Sequence, residues 1–352
     1  TVAGQIKEAG KGGPGSPAIA WQTDTYIFGD ETDVCYSPEF TFHTYRYMEI
    51  SGLDQAPQVS DIKGIALNTS VENSNRFTSS SQLINDIQSA TRSTFLSNLI
   101  GVQSDCPARE KFGYGGDLNA TSEAFIYNFD MQAFYRKTIY DWVDAMNDSS
   151  FVDTAPFVGI SYCGISWESA FITTQYNLFL YYNDTALIRE LYELDLEWME
   201  KAKRFFPDGL VDKGLSDHES LEPVPVELTG TSHYLHCARI MQKFASLMGD
   251  AEHEKQFKKL AEKLTNILLD KFWKKPGAGP INRQTLFATL IYYDIVPESE
   301  LDFALDSLLN SLNNPTGHFT TGIFGTKYIL EALSKSGHSG RVFDIVNSTH
   351  YP

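Results

Sequence analysis

The apolar positions fall into two regimes. Up to about residue 70 they lie in short runs with partial alternation. Ala18-Ile19-Ala20-Trp21 is one, Phe40 to Ile50 is a longer aromatic and β-branched stretch broken by Ser51-Gly52, and Ile62 to Leu67 is a third. Such runs predict strands across 19–70, the end of a β-sandwich. From about residue 81 the period becomes that of a helix. Leu187, Leu191, Leu194, Trp198, Ala202 and Phe205 are spaced 4, 3, 4, 4 and 3, one stripe on one helix face. Phe257, Leu260, Leu264, Leu268 and Phe272 repeat it, and Asn183-Asp184 and Gly249-Asp250 supply the stop and start signals before each of these helices.

Ten helices follow from this pattern, at about 82–99, 120–147, 167–182, 184–206, 229–248, 251–273, 281–294, 299–313, 320–335 and 339–347. Successive helical hairpins joined by short turns predict a mostly α fold, an (α/α)6 toroid preceded by part of a β-sandwich. Six hairpins need twelve helices, so the toroid is expected to be incomplete, without its last hairpin. The helices at about 82–99 and 339–347 should then show apolar flanks. The expected division is 1–18 as a flexible Gly/Lys/Pro lead-in, 19–80 as the sandwich segment and 81–352 as the barrel. The opening Thr1-Val2-Ala3-Gly4 is not an initiation site, so preceding residues are expected to have been removed.

Charge narrows the partners. The 352 residues hold 28 Lys+Arg against 45 Asp+Glu, a formal charge of −17. So acidic a surface repels phosphate backbones, and no nucleic-acid partner is expected. No apolar run reaches the ~18–20 residues of a membrane span. Cys35, Cys106, Cys163 and Cys237 lack C-x-x-C spacing and suggest neither zinc nor a disulfide framework. The sequons at Asn68, Asn119, Asn147, Asn183 and Asn347 carry little weight in an Asn/Ser/Thr-rich chain. Gly10 to Gly15 lacks the Walker spacing. Aromatics at 13% suit sugar binding and a large core equally. A secreted or periplasmic setting is the expectation, though no residue fixes the compartment.

The densest polar stretch runs from Ser104 to Asp117 and packs three acids, one Arg, one Tyr and three Gly into a loop at one mouth of the expected barrel. By itself it also reads as a capped turn, Asp105 capping with Pro107 near the first helical position. Its detail decides the matter. Asp105-Cys106-Pro107-x-Arg109-Glu110-Lys111-x-Gly113-Tyr114-x-Gly116-Asp117 resembles the signature loop of glycoside hydrolase family 78, the inverting α-L-rhamnosidases, whose pattern is D-C-P-x-R-E-x-x-G-W/Y-x-x-D. Trp167-Glu168-Ser169-Ala170 resembles the family's W-x-D-A segment, Gly214 to Asp217 its G-D-W loop, and Thr320 to Thr326 its T-T-G-x-x-G-T helix start. The resemblance covers roughly residues 20–352.

The resemblance implies that Glu110 is the general acid, and that Asp105, Arg109, Tyr114, Asp117, Trp167, Asp217 and His218 contact the sugar. An acid must be protonated near neutral pH, and converging Asp105 and Asp117 carboxyls would favour that. Glu168 departs from the family's residue type. His218 stands where many members have Trp, which puts the sugar specificity in question. Three consecutive residues, Asp217-His218-Glu219, do not converge on a metal, and His233 with His236 reads as a core or surface pair. No metal and no cofactor are expected. The family's general base follows a Y-P-S-W-G-Y segment and matches no residue here, since Tyr351-Pro352 stands at the start of that segment. A companion chain supplying the closing hairpin and the base is therefore one expected partner, beside a rhamnose-containing glycan or glycoside. The expected activity is removal of terminal α-L-rhamnose by a single inverting displacement. The alternatives are a catalytically inactive carbohydrate-binding toroid, or a related toroid glycosidase acting on another sugar.

Overall fold

The computed structural model describes residues 21–31, 33–146, 152–274, 280–313 and 318–349. The expected lead-in at 1–18, and Tyr351-Pro352, lie outside these residues. Helix dominates. The elements are α1 (Gln82–Ser97), a minimal hairpin β1 (Leu99–Ile100) and β2 (Val102–Gln103), α2 (Gly115–Asn128), α3 (Gln132–Ala145), α4 (Ile165–Glu168), α5 (Ala170–Tyr182), α6 (Thr185–Phe205), α7 (Val226–Met248), α8 (Ala251–Leu268), α9 (Arg283–Tyr292), α10 (Leu301–Ser311), α11 (Ile323–Lys335) and α12 (Ser339–Val346). None of them is long and apolar enough to cross a membrane.

Local signals placed the helix ends where the pattern predicts. Asp184 and Asp250 accept from Leu187 N (3.2 Å) and His253 N (3.1 Å), capping α6 and α8. Asn183 and Gly249 end the preceding helices in left-handed conformation. Helices α2, α5, α7, α9 and α11 contact one another in sequence round a ring, and on the outside α5 leans on α3 and α6, α7 on α6 and α8, α9 on α10, and α11 on α12. The inner members are buried almost all round, as in α9 from Gln284 to Ile291, whereas α8 buries only Phe257, Ala261, Leu264 and Leu268. This is the (α/α)6 toroid arrangement. Helix α1 buries only Phe95 and α12 buries no residue, and Ile87 and Phe343 stand exposed on them.

Two expectations are corrected. The stretch 120–147 is two helices, so eleven helices of eight or more residues stand among the described residues, one more than expected. Phe129 leaves helical geometry to form a bridge with Asn73, Asp130 N donates to Glu72 O (2.8 Å), and Arg92 lies over the buried Phe129 ring at 4.5 Å. These tertiary contacts hold an extended residue inside a helix-period sequence. The second correction concerns 21–70, where no strand ladder forms among the described residues; the chain is extended with one short turn at Val59–Asp61. A strand exists through backbone hydrogen bonds to a neighbour, and among the described residues the stretches 22–24 and 41–43 are joined by side chains instead. The segment's large apolar side chains accordingly stay in solvent, Phe40 at 95% and Ile27 at 84% exposure.

Candidate active site

The loop between β2 and α2 is built on backbone pairing. Asp105 N donates to Phe112 O (3.1 Å) and Phe112 N returns a bond to Asp105 Oδ1 (2.9 Å), closing residues 105–112 into a ring. The Glu110 amide points inward at Cys106 Sγ (3.3 Å). Behind the ring, Ala155 N donates to Gly113 O (3.0 Å) and Gly115 N to Asp153 O (2.9 Å), so the segment 153–155 backs the loop. Asp105 therefore uses one oxygen to shape the loop and keeps the other.

Three acids meet at this point. Tyr114, buried at the start of α2, donates its hydroxyl to Glu110 Oε2 at 2.8 Å. Asp117 sits in the first turn of α2, where the helix dipole favours a negative charge. Burial overrides that preference, and Asp105 and then Glu110 add repulsion, pushing Asp117 up to about 7. Burial and the same Glu110 contact raise the Tyr114 phenol. Tyr162, half exposed, is raised by burial and also feels Cys163 and Glu110. Sequence reasoning missed it, for its loop carries no recognisable motif. Arg109 is exposed on the turn.

Trp167 forms the adjacent wall. A Cβ on Gly116 would stand 2.3 Å from Trp167 Cε2, so only glycine lets α2 seat against the indole. The ring meets Phe324 edge-on at 5.5 Å and His218 at 6.0 Å. His218 remains half exposed, and its 3.7 Å pairing with Glu219 joins two exposed groups, which contributes little.

Asp217 is placed otherwise than expected. Its Oδ1 accepts from Phe324 N (2.9 Å) and Gly325 N (3.1 Å), and its Oδ2 from Gly322 N (2.9 Å) and Thr285 Oγ1 (2.7 Å). Both oxygens are spent on the N-terminus of α11 and on α9, and the residue is 2% exposed. It caps a helix and fixes the wall that carries Phe324, with no lone pair directed at the mouth. A Cβ on Gly325 would stand 2.5 Å from Asp217 Oδ2, which accounts for that glycine in the T-T-G-x-x-G-T pattern.

Two buried acids frame the site from behind. Asp153 accepts from Cys163 N (2.7 Å) and Gly164 N (3.1 Å). Glu168 is buried with Oε2 unpartnered, and burial followed by the Asp153 charge raises its pKa well above the usual carboxylate range, which favours the neutral carboxyl. His233 and His236 are core residues pushed down to about 4 and about 3, first by burial. Among the described residues no group of three or more His, Cys, Asp or Glu could hold a metal ion.

Residues 72–352 match the model of the bacterial alpha-L-rhamnosidase 6 hairpin glycosidase domain. The chain belongs to that family. Residues 7–68 match the bacterial alpha-L-rhamnosidase concanavalin-like domain, so the extended segment ahead of the toroid corresponds to part of a second family module. An alpha-L-rhamnosidase of Formosa agariphila is 26% identical over 97% of this chain and 39% of its own length. One from Streptomyces avermitilis is 25% identical over 94% of this chain and 32% of its own. The structure of alpha-L-rhamnosidase from Dictyoglumus thermophilum superposes with a TM-score of 0.76 at 31% identity, over 85% of this chain and 35% of that one. The Streptomyces avermitilis enzyme complexed with L-rhamnose gives a TM-score of 0.75 at 22% identity over 81% of this chain and 28% of that one, a likeness of fold. This member of the 6 hairpin family thus spans well under half the length of the curated relatives it matches.

Proposed function

We propose that this protein removes terminal α-L-rhamnose from glycans or glycosides by a single inverting displacement, with Glu110 as general acid. The observation that supports it most is the meeting of Glu110 with Asp105 and Asp117 beside Trp167. Hydrolysis needs a proton for the departing glycosidic oxygen. Glu110 supplies it, its carboxyl oriented by Tyr114. Asp105, through its remaining oxygen, and Asp117 bind sugar hydroxyls. Arg109, exposed on the turn, is assigned as a further sugar contact. Trp167, 2% exposed, backs the pocket wall, and the half-exposed His218 at its edge borders the sugar. Asp217 acts on the sugar indirectly, through the wall it holds. No cofactor takes part. Inversion also requires a base roughly 6.5–9.5 Å from the acid, with room for a water between them. A companion chain supplying that carboxylate is a proposed partner of the reading. The proposed division is a sandwich segment at 19–80 and the barrel at 81–352, the family match to the barrel beginning at 72.

The test is hydrolysis of aryl α-L-rhamnosides by the intact protein, with the first-formed anomer read by NMR. Inversion gives β-L-rhamnose first. An α-anomer appearing first refutes the single displacement. Faster turnover of another α-L-glycoside favours the narrower second reading, a different sugar, for which His218 at the Trp167 edge is the supporting observation.

A further inference from the structure

Two contacts tie the extended segment to the loop on either side of Glu110. Gln22 Nε2 donates to Ala108 O at 2.7 Å, and Lys111 Nζ donates to Phe42 O at 2.8 Å. The two strips that supply these partners are joined to each other. His43 bridges Gln22 Oε1 (3.2 Å) and Asp24 Oδ2 (2.8 Å), and Thr41 Oγ1 donates to Asp24 Oδ1 (2.8 Å). Lys111 itself is held with φ 59, the left-handed region that a non-glycine residue occupies only when its surroundings impose it. Its ammonium also lies 3.9 Å from the Phe42 ring centroid, a cation–π contact. Burial lowers the Lys111 pKa, with Cys106 and then Asp24 acting in the opposite sense.

We propose that residues 22–24 and 41–43 act as a strap that positions Glu110, with Lys111 as the latch. The Asp105–Phe112 pair closes the base of the loop, and inside it Glu110 is held by its amide on Cys106 Sγ and by the Tyr114 hydroxyl. The strap adds partners two residues before the acid and one residue after it. Lys111 is a positioning residue, for it acts on the sugar only through Glu110. The inference rests on the rhamnosidase reading for its kinetic part and on geometry alone for its structural part.

The test uses Lys111→Met, Lys111→Gly and Lys111→Arg in the intact protein. Methionine keeps the stem and loses the donor. Glycine accepts the left-handed backbone freely and loses the latch. Both should lower kcat roughly 10- to 100-fold on rhamnosides with poor leaving groups. KM should change little, the loss should be smaller on activated aryl rhamnosides that need little protonation, and arginine should restore most of the rate. Amide hydrogen exchange at 105–112 should quicken in the methionine and glycine variants, and in Phe42→Leu to a lesser degree. A Lys111→Gly protein with full kcat means that only the backbone conformation matters, and unchanged exchange at 105–112 in Lys111→Met means that there is no latch; either result overturns the proposal. If the unsubstituted protein hydrolyses no rhamnoside while exchange still quickens, the functional reading fails and the latch stands.

Discussion

Replacing Asp217 separates a helix cap from a sugar ligand. Asp217→Ala strips the acceptor from three backbone amides and one hydroxyl, at 2.7 to 3.1 Å, in a site only 2% exposed. A buried donor left without a partner costs about 1–3 kcal/mol. The Thr285 hydroxyl can turn to another acceptor, and water entering the vacated volume satisfies part of the rest. The expected loss is therefore about 4 kcal/mol, a large fraction of the roughly 5–15 kcal/mol that holds a domain folded. Asp217→Asn keeps the oxygen that serves Phe324 and Gly325 but turns an NH2 toward Gly322, so about half that loss is expected. Chemical denaturation followed by tryptophan fluorescence measures both, and amide exchange at 322–326 localises the effect. Activity should fall too, because Phe324 buttresses Trp167. The reasoning is refuted if Asp217→Ala unfolds within about 0.5 kcal/mol of the parent while KM for a rhamnoside rises steeply. The carboxylate would then be spent on sugar and not on α11.

Three further outcomes follow from the site. Glu110→Gln should lower turnover at least ~10²-fold on poor leaving groups and far less on activated ones; equal losses on both would count against a general acid. Asp117 has its ordinary value of 3.8 raised to about 7. Its contribution to stability is thus full below about 4 and is lost as pH rises through about 7, at most about 4 kcal/mol in all. Asp117→Asn should flatten that part of the stability profile relative to the parent, and parallel profiles would refute the assignment. Glu168→Gln replaces a protonated carboxyl with a neutral group of the same shape. Stability near pH 6 should change by less than about 1 kcal/mol, while the parent alone should weaken as rising pH ionises Glu168. A large loss already at pH 6 would show that the carboxylate form is the one in place.

Features settled within one or two turns of chain could be read from the sequence. The stripe of α6, the Asp184 and Asp250 caps and the Asn183 and Gly249 stops are examples, since each depends on neighbours three or four residues away. The order of short motifs likewise pointed to one family, because loop chemistry and helix starts are written in consecutive residues. Contacts between distant residues were decided only by the tertiary structure. Asp217 meets its amide partners 105 to 108 residues later, and nothing near it distinguishes a cap from a ligand. Lys111 meets Phe42 from 69 residues away. The strand pattern of 21–70 specified extended backbone but not the neighbour a ladder needs, and the helix-period stretch 120–147 broke where Asn73 and Arg92 engage Phe129. Periodicity states which face a residue occupies, whereas the free energy that fixes its role comes from partners brought there by the rest of the fold.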